Sequence, residues 1–120
     1  MKPEINGTSF GSITIDGLNY EHDVVIRLDG KVIKRKKKLS KVVYGTSHVV
    51  SQAEAEKFYE KGCEKVIVGC GQYGALRLSE EALKFLESRK CKVEIARTPA
   101  AIEAWNSARG KAVGLFHVTC

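Results

Sequence analysis

The strongest constraint on the fold is a regular alternation of short apolar runs and helical segments in the second half of the chain. The runs are too short and too rich in β-branched residues to be helices, whereas the segments between them carry apolar residues at helical spacing. Consecutive parallel strands can be joined only by a return outside the sheet, so the pattern predicts a parallel βαβαβ unit. Its elements are strands at 65–68, 91–95 and 113–118 and helices at 80–90 and 100–109, with Ser79 and Thr98 as the predicted N-cap residues of the two helices.

The first third of the chain is typical of antiparallel β structure. Apolar and polar residues alternate at 10–15, and two Asp-Gly pairs, at Asp16 and Asp29, are strong signals for tight turns. We therefore predict two consecutive hairpins with strands near 10–15, 18–28 and 31–35, packed on or added to the parallel unit.

A change from β to helical periodicity occurs at Ser51. Ser51 and Glu54 have the spacing of a capping box, in which each side chain would bind the backbone amide of the other residue. A helix is predicted from there to Lys61, with Gly62 as its left-handed C-terminal residue. Residues 36–50 give no clear signal. A length of 120 residues fits one core, so residues 1–120 are predicted to form a single domain.

The net charge of +6 comes from one local run. Seven of the 20 Lys and Arg residues lie in Lys31–Lys41, and the remaining 13 nearly balance the 14 Asp and Glu residues. Proteins that follow a phosphate backbone spread their charge over a face with aromatic residues between, which this run lacks. We expect a solvated loop or an edge strand protected by its lysines, and weak nucleic-acid binding is only an alternative.

The four cysteines show no metal or disulfide pattern. Their positions, 63, 70, 91 and 120, contain no C-x-x-C pair, so we expect reduced thiols and neither a metal nor a cofactor. No apolar stretch approaches the roughly 20 residues of a membrane span, and no targeting segment stands at the N-terminus. We therefore expect a cytoplasmic protein without a membrane partner.

The sharpest local motif is Gly69-Cys70-Gly71-Gln72-Tyr73-Gly74, which follows a predicted strand. The G-x-G-x-x-G spacing matches half of a dinucleotide fingerprint, but the next helix begins only after Ser79. A tight turn that needs positive φ angles explains the glycines equally well, and an anion-binding nest of backbone amides is a third interpretation. If a ligand binds, the predicted site residues are Gly69, Gly71, Gln72, Tyr73, Gly74, Arg77 and Asn106, with Arg97 as a neighbour.

No catalytic residue is predicted. His117 and Cys120 are the ingredients of a thiolate nucleophile, but residues three apart on a strand point to opposite faces. A buried histidine bonded to backbone, beside a packed cysteine, is the simpler interpretation. Asp23 lies within a β stretch and marks either an inward charge or an exposed face.

Several short motifs nevertheless resemble one known family of small domains. It includes a human adipogenesis-associated protein and a mitochondrial complex I assembly factor. The resemblance covers nearly the whole chain and implies a three-layer α/β fold with a mixed sheet, with no established activity, cofactor or substrate. The motifs are Phe10-Gly11, Gly17, Tyr20-x-x-Asp23, Asp29-Gly30, Val68-Gly69-Cys70-Gly71, Thr98-x-x-Ala101, Asn106 and Phe116-His117-Val118-Thr119-Cys120.

The expected function is that of a non-catalytic binding or assembly module. Its partner would be a protein or a small anion, and we expect it to self-associate as a homodimer. The first alternative is an enzyme that binds a small anion or nucleotide at Gly69–Gly74. The second is a weak nucleic-acid binder that uses Lys31–Lys41.

Overall fold

A five-stranded mixed sheet forms the centre of the structure, a computed structural model that describes residues 2–120. Three of its strands, from the second half of the chain, run parallel to one another, as predicted. The two strands from the first half add to one side in antiparallel orientation. In order across the sheet, the strands are β5 (Val32–Lys34), β4 (Val24–Ile26), β10 (Ala112–His117), β7 (Lys65–Cys70) and β9 (Lys92–Ala96).

The other strands form two smaller sheets. The first is an antiparallel sheet of three strands, and the second is a parallel pair of very short strands. They are β1 (Ile5–Ser9), β2 (Ser12–Ile15) and β3 (Leu18–Tyr20) in the first, and β6 (Val49–Val50) and β8 (Arg77–Leu78) in the second.

Four helices lie within residues 2–120. They are α1 (Lys38–Tyr44), α2 (Gln52–Phe58), α3 (Glu80–Ser88) and α4 (Thr98–Ser107). None of these helices has both the length and the apolar character that a membrane crossing requires.

The N-terminal hairpins are present, but they do not share one sheet. Asp16 and Gly17 have φ angles of 48° and 80° and connect β2 to β3, as the Asp-Gly signal predicts. The predicted strand at 18–28 is wrong as a single element, because it breaks at residues 21–23. There Asp23 turns into the protein to meet charged partners, and the chain passes from the small sheet to the main one.

Helix α1 occupies part of the region without a sequence signal. Its one buried residue is Ser40, whereas Val42 and Val43 are exposed. A helix normally buries its apolar side, so the usual periodicity gives no indication of this one.

Helix α2 has only half of the predicted capping box. The Ser51 hydroxyl accepts a hydrogen bond from the Glu54 amide at 3.1 Å, as expected. The Glu54 carboxylate binds elsewhere, and the Ser51 amide donates to Ser40 Oγ at 2.9 Å instead. The helix ends at Phe58 rather than at Lys61, because Tyr59 is already extended, with φ −65° and ψ 139°.

Three layers result from this arrangement, which confirms the α/β class and the mixed sheet. Helices α2 and α3 pack on one face of the main sheet, and α4 and the three-stranded sheet cover the other. On the first face the core includes Val66, Val68 and Leu86; on the second, Trp105 and Phe116 are fully buried. The four cysteines are free.

Candidate functional site

The candidate site is a cleft at the edge of the main sheet where the parallel strands end. Its volume is about 370 Å³. Residues from the end of β10, the start of β4 and the end of β5 meet there, together with the turn between β1 and β2. The lining residues are Gly11, Glu21, His22, Asp23, Lys34, Arg35, Lys37, Val118 and Thr119.

Arg35 is the centre of a buried charge network beside this cleft. Its side chain is inaccessible to solvent, and its Nε donates to Glu54 Oε2 at 2.6 Å. Nη1 donates to Asp23 Oδ2 at 2.9 Å, and Nη2 donates to Glu54 Oε1 at 3.0 Å and to the Ser47 carbonyl at 2.6 Å. Burial lowers the pKa of Arg35, but the two carboxylates outweigh it and raise the pKa above its ordinary value.

This placement corrects the interpretation of the basic run. Arg35 lies in Lys31–Lys41, which we expected to be a solvated loop or an edge strand. Strand β5 does lie at the sheet edge, and the six lysines of the run are exposed, but Arg35 is only 3% exposed. Guanidinium groups suit buried pairs with carboxylates because their planar donors match two oxygens at once.

Asp23 joins the network to the final strand. Its Oδ1 accepts the Val118 amide at 2.9 Å, while Oδ2 accepts His117 Nδ1 at 2.8 Å as well as Arg35. Burial, the largest single influence, raises the pKa of Asp23. The hydrogen bond and the charge of His117, together with the hydrogen bonds from Val118 and Arg35, outweigh burial and lower the pKa of Asp23 below its ordinary value. Asp23 is therefore the inward charge that the sequence left open.

His117 is held at both ring nitrogens. Nδ1 lies 2.8 Å from Asp23 Oδ2, and Nε2 lies 3.3 Å from the Thr119 hydroxyl. The ring of His48 packs edge-on at a centroid distance of 5.3 Å. His117 is 4% exposed, as expected of a buried histidine, but its partner is a carboxylate rather than backbone.

Two serines complete the network at its far end. The Ser40 hydroxyl donates to Glu54 Oε1, and the Ser51 hydroxyl donates to the Leu39 carbonyl at 2.9 Å. Every buried side-chain nitrogen or oxygen within residues 2–120 has a hydrogen-bond partner. The network is thus a fully satisfied floor for the cleft, and its polar groups do not need a ligand to be stable.

The lowered pKa of Asp23 predicts acid sensitivity. A carboxyl group whose pKa is lower in the folded than in the unfolded protein contributes its full stabilisation at pH values above the unfolded-state pKa. That stabilisation is lost as the pH falls through the folded-state pKa. We expect the free energy of unfolding to decrease below about pH 4, and to decrease less steeply in Asp23→Asn. Urea unfolding of both proteins from neutral to acidic pH measures this, and equal slopes would contradict it.

The glycine loop is closed by the C-terminal segment. The Gly71 amide donates to Thr98 Oγ1 at 2.9 Å, which then donates to the His117 carbonyl. The amides of Gln72 and Tyr73 donate to the carbonyls of Thr119 and Cys120 at 2.7 and 2.9 Å. These amides are therefore engaged within the chain and do not point toward an anion.

Thr98 has a different role from the predicted one. The sequence suggested an N-cap for α4, but Thr98 lies inside the helix and Arg97 precedes it without a side-chain cap. Its hydroxyl joins the glycine loop to β10 instead.

The predicted ligand residues are only partly brought together. Gln72 donates from Nε2 to Thr8 Oγ1 at 3.0 Å, and Tyr73 packs against Phe10 at a centroid distance of 6.1 Å while 70% exposed. Gly69 lies near the end of β7 and Gly74 in the loop that follows, with the Arg97 side chain beside Gly74. Arg77 is exposed in β8, and its amide donates to the His48 carbonyl at 2.8 Å.

Asn106 does not join this group. It lies near the opposite end of α4, about 12 Å along the helix axis from Thr98, and both ends of its amide bind the backbone of Ile5 at 2.9 Å. Its observed contacts fasten β1 to α4.

No three His, Cys, Asp or Glu side chains within residues 2–120 form a group that could hold a metal ion. The cleft offers charged groups to a ligand. Lys34 and Lys37 are exposed beside it, and the Asp23 carboxylate is paired with the Arg35 guanidinium beneath it.

Comparison with known proteins gives a family and several similar structures. A family model described as "protein of unknown function (DUF498/DUF598)" matches residues 5–116. The conserved hypothetical protein PH1505 from Pyrococcus horikoshii OT3 is 33% identical, with 98% of this chain and 99% of that one covered and a TM-score of 0.91. A protein named MT938 is also 33% identical, with 99% and 100% covered and a TM-score of 0.84.

A more distant structure shows the same fold. A protein from Bordetella pertussis, described as a Mth938-like domain, is 18% identical. The match covers 97% of this chain and 85% of that one, with a TM-score of 0.62.

Proposed function

Because the chain belongs to the DUF498/DUF598 family, whose function is unknown, its activity must be inferred from its own side chains, and we propose that it is a non-catalytic binding module that takes a small anion in the cleft. The observation that carries the proposal is the position of Lys34 and Lys37 beside a cleft whose buried charged groups already have partners within the chain.

The charges at the cleft favour an anion. Asp23 accepts hydrogen bonds from three donors, so its carboxylate oxygens are engaged within the protein. Lys34 and Lys37 are exposed and free to approach a ligand, and His22 lies beside Asp23 in the lining. Glu21 is the one exposed acid in the lining.

The size and stiffness of the cleft favour a small ligand. A volume of about 370 Å³ is at the lower end of the range for small-molecule sites. The buried network fixes the floor, so an anion would meet a preorganised surface and lose little to rearrangement. A carboxylate or a phosphate group supplies the oxygens that two ammonium groups bind.

The arrangement of His117 supports binding rather than catalysis. Both of its ring nitrogens have partners within the chain, and the ring is buried. A general base must reach a proton on the substrate, which this ring does not do in the present geometry.

The assembly role belongs to the same proposal. A protein partner is part of the proposal, and a second copy of the chain is one candidate. The mutually packed Phe10 and Tyr73 are exposed near the cleft and offer an apolar contact. The four free cysteines support a reducing, cytoplasmic location. Light scattering of the purified protein would decide whether it is a homodimer.

Removing the two lysines should abolish anion binding. We expect inorganic phosphate or citrate to bind the wild-type protein weakly, and Lys34→Gln/Lys37→Gln to lose at least about tenfold in affinity, because two charge-assisted contacts disappear. Isothermal titration calorimetry measures the affinity of both proteins for phosphate and citrate.

The matched control is Lys31→Gln/Lys38→Gln, which removes the same charge from the same run but outside the cleft. An equal loss in the control would show that only the net charge matters. Hydrolytic turnover of an ester that Thr119→Val abolishes would replace the binding proposal with a catalytic one, since the Thr119 hydroxyl faces His117.

A further inference from the structure

Helix α1 presents its two valines to solvent, and its one buried residue is the polar Ser40. Val42 and Val43 are 74% and 58% exposed, and Tyr44 is also exposed. The single buried residue of the helix is Ser40. This is the reverse of the usual arrangement, in which a surface helix turns its apolar side inward.

The inner side of α1 is held by polar contacts. Ser40 donates to Glu54 and accepts from the Ser51 amide, and the Leu39 carbonyl accepts from the Ser51 hydroxyl. These bonds fix the rotation of the helix, so Val42 and Val43 cannot turn inward without breaking them. These hydrogen bonds therefore hold α1 rigidly, with Val42 and Val43 in solvent.

Lysines border the exposed valines. Lys36, Lys38 and Lys41 are exposed, and no acidic residue occurs between Asp29 and Glu54 in the sequence. Glu54 is buried and paired with Arg35, so its charge does not reach the surface. At the surface the helix meets Glu81, which accepts a hydrogen bond from the Tyr44 hydroxyl at 3.4 Å.

We propose that the solvent-exposed side of α1, which carries Lys38, Lys41, Val42 and Val43, is a docking surface for an acidic segment of a partner protein that carries an apolar stripe. The valines would be covered by the stripe, and the lysines would pair with acids at its border. An apolar centre with a charged rim is the common composition of protein interfaces.

Other occupants fit the surface less well. A second copy related by a two-fold axis would place lysines against lysines, because such an interface uses the same patch twice. A helix of seven residues is short for a membrane-surface element, and one weak contact does not anchor a protein to a bilayer. A nucleic acid would use the lysines but leave the valines uncovered.

The test is a titration followed by NMR of the isotope-labelled protein at about 150 mM salt. The probe is a synthetic amphipathic helical peptide with a stripe of leucines that is bordered on both sides by glutamates. We expect shifts confined to residues 36–45. We expect a loss of roughly tenfold in affinity both in Val42→Ser/Val43→Ser and in Lys38→Gln/Lys41→Gln, because each pair supplies one half of the contact.

Two comparisons make the result decisive. A scrambled peptide of the same composition keeps the charge but not the face and should bind much more weakly. Lys34→Gln/Lys37→Gln should bind the peptide like wild type, which separates this surface from the anion cleft. The proposal is overturned if the scrambled peptide binds equally, if the peptide causes no shifts in α1, or if the shifts lie in the cleft.

The other occupants are tested with the same variants. Phosphatidylserine vesicles and a short duplex RNA are added in place of the peptide, and light scattering reports self-association. If either probe, or a second copy, occupies α1 more tightly than the peptide and loses affinity in Val42→Ser/Val43→Ser, the acidic protein segment is the wrong occupant.

Discussion

Replacing Arg35 with methionine is expected to lower the free energy of unfolding by about 3–5 kcal/mol. The substitution keeps most of the side-chain volume but removes the cation that lies between Asp23 and Glu54. Both carboxylates would then be buried without their main partner, and the Ser47 carbonyl would lose its donor. Urea unfolding at neutral pH measures the loss, and an insoluble variant would be consistent with it.

Arg27→Met is the matched control, because Arg27 forms an equally short salt bridge with Glu60 at 2.9 Å but is partly exposed. Its loss should be about 1 kcal/mol or less. Adding Glu54→Gln to Arg35→Met should cost less than the two single changes together, since neutralising the acid relieves the charge that was left unpaired. Similar losses for Arg35→Met and Arg27→Met would contradict the role given to the network.

Replacing Gly71 with alanine should destabilise the protein by about 3 kcal/mol or more. A Cβ atom at this position would lie 2.3 Å from the Cys120 carbonyl carbon and 2.7 Å from its oxygen. It would also lie 2.8 Å from Cδ2 of His117. The φ angle of +103° adds the cost of a left-handed conformation. Because the nearest atoms are backbone, the clash can be relieved only by moving the 117–120 segment away.

Gly62→Ala separates the two causes. Gly62 has a φ of +93°, close to that of Gly71, but a Cβ there would meet nothing within 4 Å. This control should cost about 1–2 kcal/mol, which is the backbone effect alone. Equal losses at the two positions, measured by thermal or urea unfolding, would show that the C-terminal segment does not press on the loop.

The parts of the fold that could be predicted from sequence are those with local causes. The turn at Asp16-Gly17 and the caps at Ser51 and Ser79 depend on residues close to one another in the chain, and the structure has them. The βαβαβ unit follows from short apolar runs, two of which, β7 and β10, are buried along almost their whole length. Its signal was therefore strong, and its pairing is parallel as predicted.

The parts that were missed depend on distant partners. The break before β4 occurs because Asp23 turns toward Arg35 and His117, and α1 is held by a serine that binds Glu54. Neither effect produces a periodic pattern of apolar residues in the sequence. The capping box at Ser51 was half wrong for the same reason, since Glu54 satisfies a guanidinium group rather than the Ser51 amide.

The candidate site shows the same limit. Asp23, Arg35, Glu54 and His117 are spread over most of the chain, so no motif spacing could join them. One signal was present: Arg35 is the single arginine in a run that otherwise takes its charge from lysines. Arginine is the residue favoured for buried pairs with carboxylates, and this exception indicated a structural role.

The position of β10 has a consequence for folding. This last strand of the sheet lies in its middle, between β4 and β7. During synthesis, the ribosome therefore releases both flanking strands before the one that joins them, and each exposes an unpaired edge for that interval. The contacts that insert β10, such as the pairing of Val24 with Phe116, join residues that are far apart in the sequence. Forming them carries a large loop-closure entropy cost, so we expect them to form late in folding. Folding should be slow for a domain of this size and should require that residue 117 has left the exit tunnel.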